Sequence, residues 1–191
     1  MEGNFEITFE PLERKLVEEN ITNAFSLLKL DQSKIPKDIS WTVQGKKFDF
    51  NMNLLAVISP MFKELFENCT GSKEIPNDDF ISSQTVETFK KILEQSTEEP
   101  IEITLDLYQF ADKYHIQPLI KVCGDYFVNK IDTENVLEIS RIANMVGDDP
   151  LLKKAAAFLK VNPEVARDNP QFFQNNLGLA GRIYILQTMM N

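Results

Sequence analysis

The stretch from Asp38 to Phe66 most narrows what this chain can fold into. Ile39, Trp41 and Val43 alternate with Ser40, Thr42 and Gln44, the period of a strand with one buried face. Gly45, between Gln44 and Lys46, predicts a turn, and Phe48 and Phe50 restart the alternation. The pattern is a hairpin with an aromatic face. Leu54, Leu55 and Ile58 then fall at helical spacing. Ser59 and Pro60 follow as an N-cap and a first-turn proline, a position where no amide is needed. Met61, Phe62, Leu65 and Phe66 supply the apolar stripe of the next short helix. The order is strand, strand, helix, helix, all apolar on one side.

On either side of this stretch the signals are local and regular. Phe5, Ile7 and Phe9 alternate with Glu6 and Thr8, a short edge strand, and Pro11 opens a helix from Leu12 to about Leu30. Asp31 to Lys37 reads as a linker. Beyond Phe66, Glu67 to Glu74 is a loop and Glu74-Ile75-Pro76 a short strand. Ser82 or Ser83 caps a helix holding Val86, Phe89, Ile92 and Leu93. Ile101 and Ile103 flank Glu102 as another short strand. Thr104 caps a helix with Leu105, Tyr108, Ala111 and Tyr114 on one side, and Pro118 opens the next, with Leu119, Ile120, Cys123 and Phe127. From Asp132 the pattern is wholly helical. Val136, Ile139, Ser140 and Ala143 form one stripe, and Gly147 ends it. Asp149 is then expected as a cap with Pro150 in the first turn, ahead of Leu151, Leu152, Ala155, Phe158 and Leu159. Asn162-Pro163 and Asn169-Pro170 repeat the cap-proline device, which predicts helical hairpins in series. Ile183 to Met190 is a final helix or a tail.

Composition excludes several function classes. The 191 residues carry a net charge of −9, with no basic run, so a nucleic-acid surface built of clustered Lys and Arg is not expected. No apolar run approaches the ~20 residues that cross a bilayer. The first residues show no secretory signal, which implies a cytoplasmic and/or nuclear protein with Cys69 and Cys123 as free thiols. Neither cysteine has a C-x-x-C partner, so no metal or cofactor is expected. A catalytic triad would have to use the single histidine, His115, between Tyr114 and Ile116 at a helix end, with no nucleophile elbow nearby. The bland reading of His115 as a surface or partner-contacting residue is favoured. The carboxylate pairs Glu18-Glu19, Asp78-Asp79 and Glu98-Glu99 lie in polar runs, where nothing shifts a pKa toward acid–base work. No catalytic residue is assigned, and a non-enzymatic protein is expected.

The motifs in order resemble those of the BTB/POZ family, a protein-interaction fold. The shared features are the strand Asp38-Ile39, the turn at Gly45, the run Phe48 to Leu55, and Ser59-Pro60-Met61-Phe62. A second block, Leu107 to Leu119 followed by Cys123, is similar to the family's L-x-x-A-D-x-Y-x-I-x-x-L-x-x-x-C run. The helical C-terminal part, with Asn135 to Ile139 reading N-V-L-E-I, resembles the BACK-type extension of ubiquitin-ligase adaptors. The resemblance implies an α+β, mostly helical fold: a BTB/POZ fold followed by helical hairpins. Its expected divisions are an N-terminal dimerisation strand, helix and linker over 1–37, a BTB/POZ core over 38–130, and a BACK-like extension over 131–191.

The resemblance also implies partners. A homodimer interface would use Phe5, Ile7, Phe9, Leu12, Leu16, Asp38 and Met52. A cullin interface would use Phe66, Glu67, Asn68 and Cys69 together with Lys113, Tyr114, His115 and Gln117. The implied function is a dimeric substrate adaptor of a cullin-type E3 ubiquitin ligase, with an unknown target protein. The alternative is a self-associating scaffold with no ligase role, in transcription or cytoskeletal organisation, and a remote third is an enzyme using His115. Three departures stand out. The loop after Phe66 has no copy of the adaptors' hydrophobic-x-Glu triplet, Met52 stands where the family carries a basic partner for Asp38, and Gln95-Ser96-Thr97 replaces Y-T-G. A buried carboxylate without a partner costs about 3–5 kcal/mol, so Asp38 needs another partner, exposure, or an interface unlike the family's.

Overall fold

The computed structural model describes residues 35–68, 74–76, 80–94 and 101–171. These fall into two compact units, divided between Glu102 and Ile103.

In the first unit the hairpin forms as its alternation requires. β1 (Ile39–Val43) pairs antiparallel with β2 (Lys46–Phe50), with Ile39 opposite Phe50 and Trp41 opposite Phe48. The connection is a two-residue turn in which Gln44 and Gly45 both take positive φ, +50° and +77°. That is the turn whose twist matches a right-handed hairpin. β3 (Glu74–Ile75) adds in parallel to β1, giving the order β2-β1-β3. Ile39, Trp41, Val43, Phe48, Phe50 and Ile75 are all buried, so the sheet hides one face.

α1 (Met52–Ile58) and α2 (Pro60–Asn68) follow at once. Asn51 caps α1 by accepting from the Leu54 amide at 2.9 Å. Ser59, fully buried, caps α2 by accepting from the Phe62 amide at 3.0 Å. Phe62 meets Trp41 edge-on, with ring centroids 5.9 Å apart. Met61 departs from the expected stripe: it is 39% exposed. On a helix it lies about 100° from Phe62, too far round to share the buried face. α3 (Ser83–Glu94) is capped by Ser82, whose hydroxyl accepts from the Thr85 amide. It packs on β2, with Phe89 6.0 Å from Phe50. Gln44 accepts from the Ser83 amide, and Lys46 bonds Glu87, so the hairpin tip is tied to the start of α3.

The second unit is helical. Residues 101–103 form no strand, contrary to the alternation of Ile101 and Ile103, although Ile103 is buried. An alternating pair becomes a strand only when another strand takes up its backbone groups, and among the described residues none does so here. α4 (Leu105–Lys113) starts at Thr104, which accepts from the Leu107 amide. α5 (Gln117–Val128), α6 (Val136–Val146), α7 (Asp149–Val161) and α8 (Pro163–Asp168) follow. α4 packs on α5 and α6, and α7 on α5 and α6, so two helical hairpins close on each other. Leu107, Leu119, Ile139, Ile142, Leu151 and Leu159 are fully buried between them.

Two caps differ from expectation. Asp148, not Asp149, caps α7, accepting from the Leu151 amide at 3.0 Å. Gly147 takes a left-handed φ of +73°, which lets the Asp148 amide return to the Ala143 carbonyl at 2.8 Å and brings its carboxylate over the next helix. Asn162 makes no forward cap bond. Its side-chain amide donates back to the Phe158 carbonyl at 2.9 Å, so it closes the helix behind rather than opening the one ahead, and the Asn169 side-chain amide likewise donates back to the Val165 carbonyl at 2.9 Å. The mostly helical α+β class expected from the sequence is the observed one.

Candidate interaction surfaces

Of the residues expected at a self-association interface, Phe5, Ile7, Phe9, Leu12 and Leu16 lie outside the described residues. Asp38 and Met52 are brought together, in a way side-chain pairing rules do not anticipate. The backbone amide of Met52 donates to Asp38 Oδ1 at 2.7 Å. Met52 is the first residue of α1, so the carboxylate sits at the positive end of a helix and takes up one of its free amides. Asp38 is half-buried, and its own amide donates to the Phe50 carbonyl. The basic partner missing at position 52 is thus replaced by the backbone of the same residue. Beside it, Asn51 donates to the Pro36 carbonyl at 2.8 Å, fixing the segment that enters β1.

The residues expected to face a cullin divide between the two units. In the first, Phe66 is half-buried and stacks on Phe62 at 5.9 Å, leaving Glu67 exposed at the end of α2. Glu67 lies 4.0 Å from Lys63, a loose surface pair of little energetic weight. Asn68 is the last residue of α2, and Cys69 lies outside the described residues. Val57, on α1, is 69% exposed, an apolar surface residue that the sequence reading did not single out, and Met61, expected in the buried stripe of α2, is exposed as well. For Val57 the signal was available: its position points away from the stripe set by Leu54, Leu55 and Ile58.

In the second unit Lys113, His115 and Gln117 are exposed. Tyr114 is not: it is 5% exposed, with its ring 5.0 Å from Phe110. It belongs to the core beneath this surface, so the accessible members of the set are its neighbours. The turn that presents them is well defined. His115 takes a left-handed φ of +50°, its amide bonds the Asp112 carbonyl, and the Ile116 amide reaches back to the Ala111 carbonyl. This is the paired-bond ending of a helix that glycine usually supplies. Burial raises the Asp112 carboxyl above its ordinary pKa, and the neighbouring His115 charge partly opposes it. Cys123 is fully buried and its thiol is pushed far up by desolvation, so it is inert as a nucleophile.

Among the described residues no group of three or more His, Cys, Asp or Glu side chains could hold a metal ion. Among them, no helix is long and apolar enough to cross a membrane.

A protein-family model, "BTB/POZ domain", matches residues 27–131. The chain belongs to the BTB/POZ family, and it therefore carries a protein-interaction fold. Among individual proteins, it is 27% identical over 126 residues to the Influenza virus NS1A-binding protein homolog of Xenopus laevis, covering 64% of this chain and 20% of that one. It is 22% identical over 135 residues to the Kelch repeat and BTB domain-containing protein 8 of Xenopus tropicalis, covering 68% and 22%. The chain thus spans about a fifth of the length of these curated relatives. Among solved structures, the BTB domain of zebrafish PATZ1 is similar, with a TM-score of 0.41 and 16% identity, covering 66% of this chain and 98% of that one.

Proposed function

We propose that this protein is a self-associating adaptor that brings a target protein to a cullin-type ubiquitin ligase from the cytoplasm or nucleus. In this reading residues 1–37 serve self-association, 38–130 form the interaction core, and 131–191 form a BACK-like extension. Membership of the BTB/POZ family is the observation that carries it. The exposed end of α2 at Glu67 and the exposed turn of Lys113, His115 and Gln117 support it as accessible surfaces. Asp38 bonded to the Met52 amide supports self-association, because no unpaired carboxylate is left beside the expected interface.

One observation favours the scaffold reading instead. The loop from Phe66 to Lys73 lacks the hydrophobic-x-Glu triplet that adaptors of this type carry. The two readings separate in one experiment. Solution mass is measured by light scattering, with and without the N-terminal domain of a cullin that binds BTB proteins. A complex of two chains and two cullin domains is expected. Lys113→Glu combined with His115→Glu should abolish that complex and leave the pair of chains intact. A chain that pairs with itself and ignores the cullin would establish the scaffold. A chain of single mass that binds no cullin would sink both.

A further inference from the structure

Asp148 touches four helices. Its amide donates to the Ala143 carbonyl near the end of α6. Its Oδ1 accepts from the Leu151 amide, which caps α7. Its Oδ2 accepts from the Tyr108 hydroxyl of α4 at 2.6 Å, across 40 residues of sequence. And Oδ2 lies where α5 offers no side chain: a Cβ on Gly124 would fall 2.5 Å from that oxygen and 3.4 Å from the Tyr108 hydroxyl. Gly124 is buried in the middle of α5, where glycine costs about 1 kcal/mol against alanine. A residue that weakens its own helix while clearing room for a carboxylate needs a reason, and the Tyr108–Asp148 bond supplies it. Tyr108 is fully buried, so its hydroxyl depends on this acceptor.

We propose that Asp148 is a latch that holds the α6–α7 hairpin closed on α4–α5, with Gly124 as the gap that admits it. The latch crosses the end of the family-matched segment at residue 131, since Tyr108 and Gly124 lie before it and Asp148 after. The first hairpin of the extension is therefore fastened to the last helices of the BTB/POZ domain, and opens as one body when the latch is broken.

Hydrogen exchange on the full chain tests this. Tyr108→Phe keeps the ring and removes only the hydroxyl. Asp148→Asn keeps a good N-cap and replaces the anionic acceptor. Each is expected to speed amide exchange in α6 and α7 by about tenfold or more, the worth of a charge-assisted bond, while β1, β2 and α3 keep the parent's rates. Gly124→Ala gives the sign. Helix propensity alone would make the protein about fivefold more stable, whereas a latch predicts faster exchange in α6 and α7. Parent-like exchange in those helices in Tyr108→Phe and Asp148→Asn, or slower exchange in Gly124→Ala, would overturn the latch. So would an equal rise across both units, which would mean general destabilisation.

Discussion

At the scale of single residues, the protein satisfies charges through its backbone. The Asp38 carboxylate accepts from the Met52 amide, and a bond of this charge-assisted type contributes about 1.5–3 kcal/mol. Asp38 is half-buried, so the lower part of that range applies. Asp38→Ala should lower stability by about 1–2 kcal/mol, read from the urea midpoint, and Met52→Lys should leave the bond in place. A larger loss for Met52→Lys than for Asp38→Ala would show that the side chain at 52, not its amide, matters. Asp112 works the other way. Burial raises its folded pKa above the unfolded value, so the folded state holds the proton more tightly. Its contribution is then most favourable at low pH and declines as pH rises above about 4. Asp112→Asn should flatten that slope and leave the variant slightly more stable than the parent at pH 7, by a small margin because the group is half solvated. Equal midpoints for the two proteins at pH 3 and at pH 7 would contradict this.

At the scale of elements, turns and caps were readable wherever the signal was local. Gly45 marks the hairpin turn because a left-handed residue is needed within two positions of the strands, and φ there is +77°. Gly45→Ala should cost about 1–2 kcal/mol through the backbone alone, since a Cβ there meets nothing within 4 Å. His115 holds a similar left-handed position without being glycine. His115→Gly should therefore be neutral or stabilising by up to about 1 kcal/mol in thermal unfolding, the relief of the Cβ offset by the greater freedom of glycine when unfolded. Asn162 shows where local reading fails. An Asn before a Pro is an equally good start or finish for a helix, and only the position of the Phe158 carbonyl decided which. Ile101 to Ile103 failed for a related reason: the alternation was present, but a strand needs a neighbour, and alternation carries no information about one.

At the scale of the whole molecule, each unit holds a core of its own. Phe62→Ala should cost about 3–5 kcal/mol and Leu159→Ala about 2–5 kcal/mol, since both side chains are fully buried. Hydrogen exchange should show each loss first in the unit that carries the substitution, α2 for one and α7 for the other. Uniform loss in both units from either variant would mean that they unfold as one. By itself the sequence determined the hairpin, the helices and their buried stripes, the family, and hence a protein-interaction fold. These depend on periods of two and 3.6 residues and on caps within three positions, all of which are properties of a short window. Only the tertiary structure decided that Tyr114, expected both on an apolar helix side and at a partner surface, is core, and that the amide of Met52 replaces a basic side chain. It alone showed Asp148 meeting Tyr108 beside Gly124. Those facts join residues up to 40 positions apart. No repeating pattern along a chain encodes which distant backbone amide or hydroxyl will come to rest against a given carboxylate.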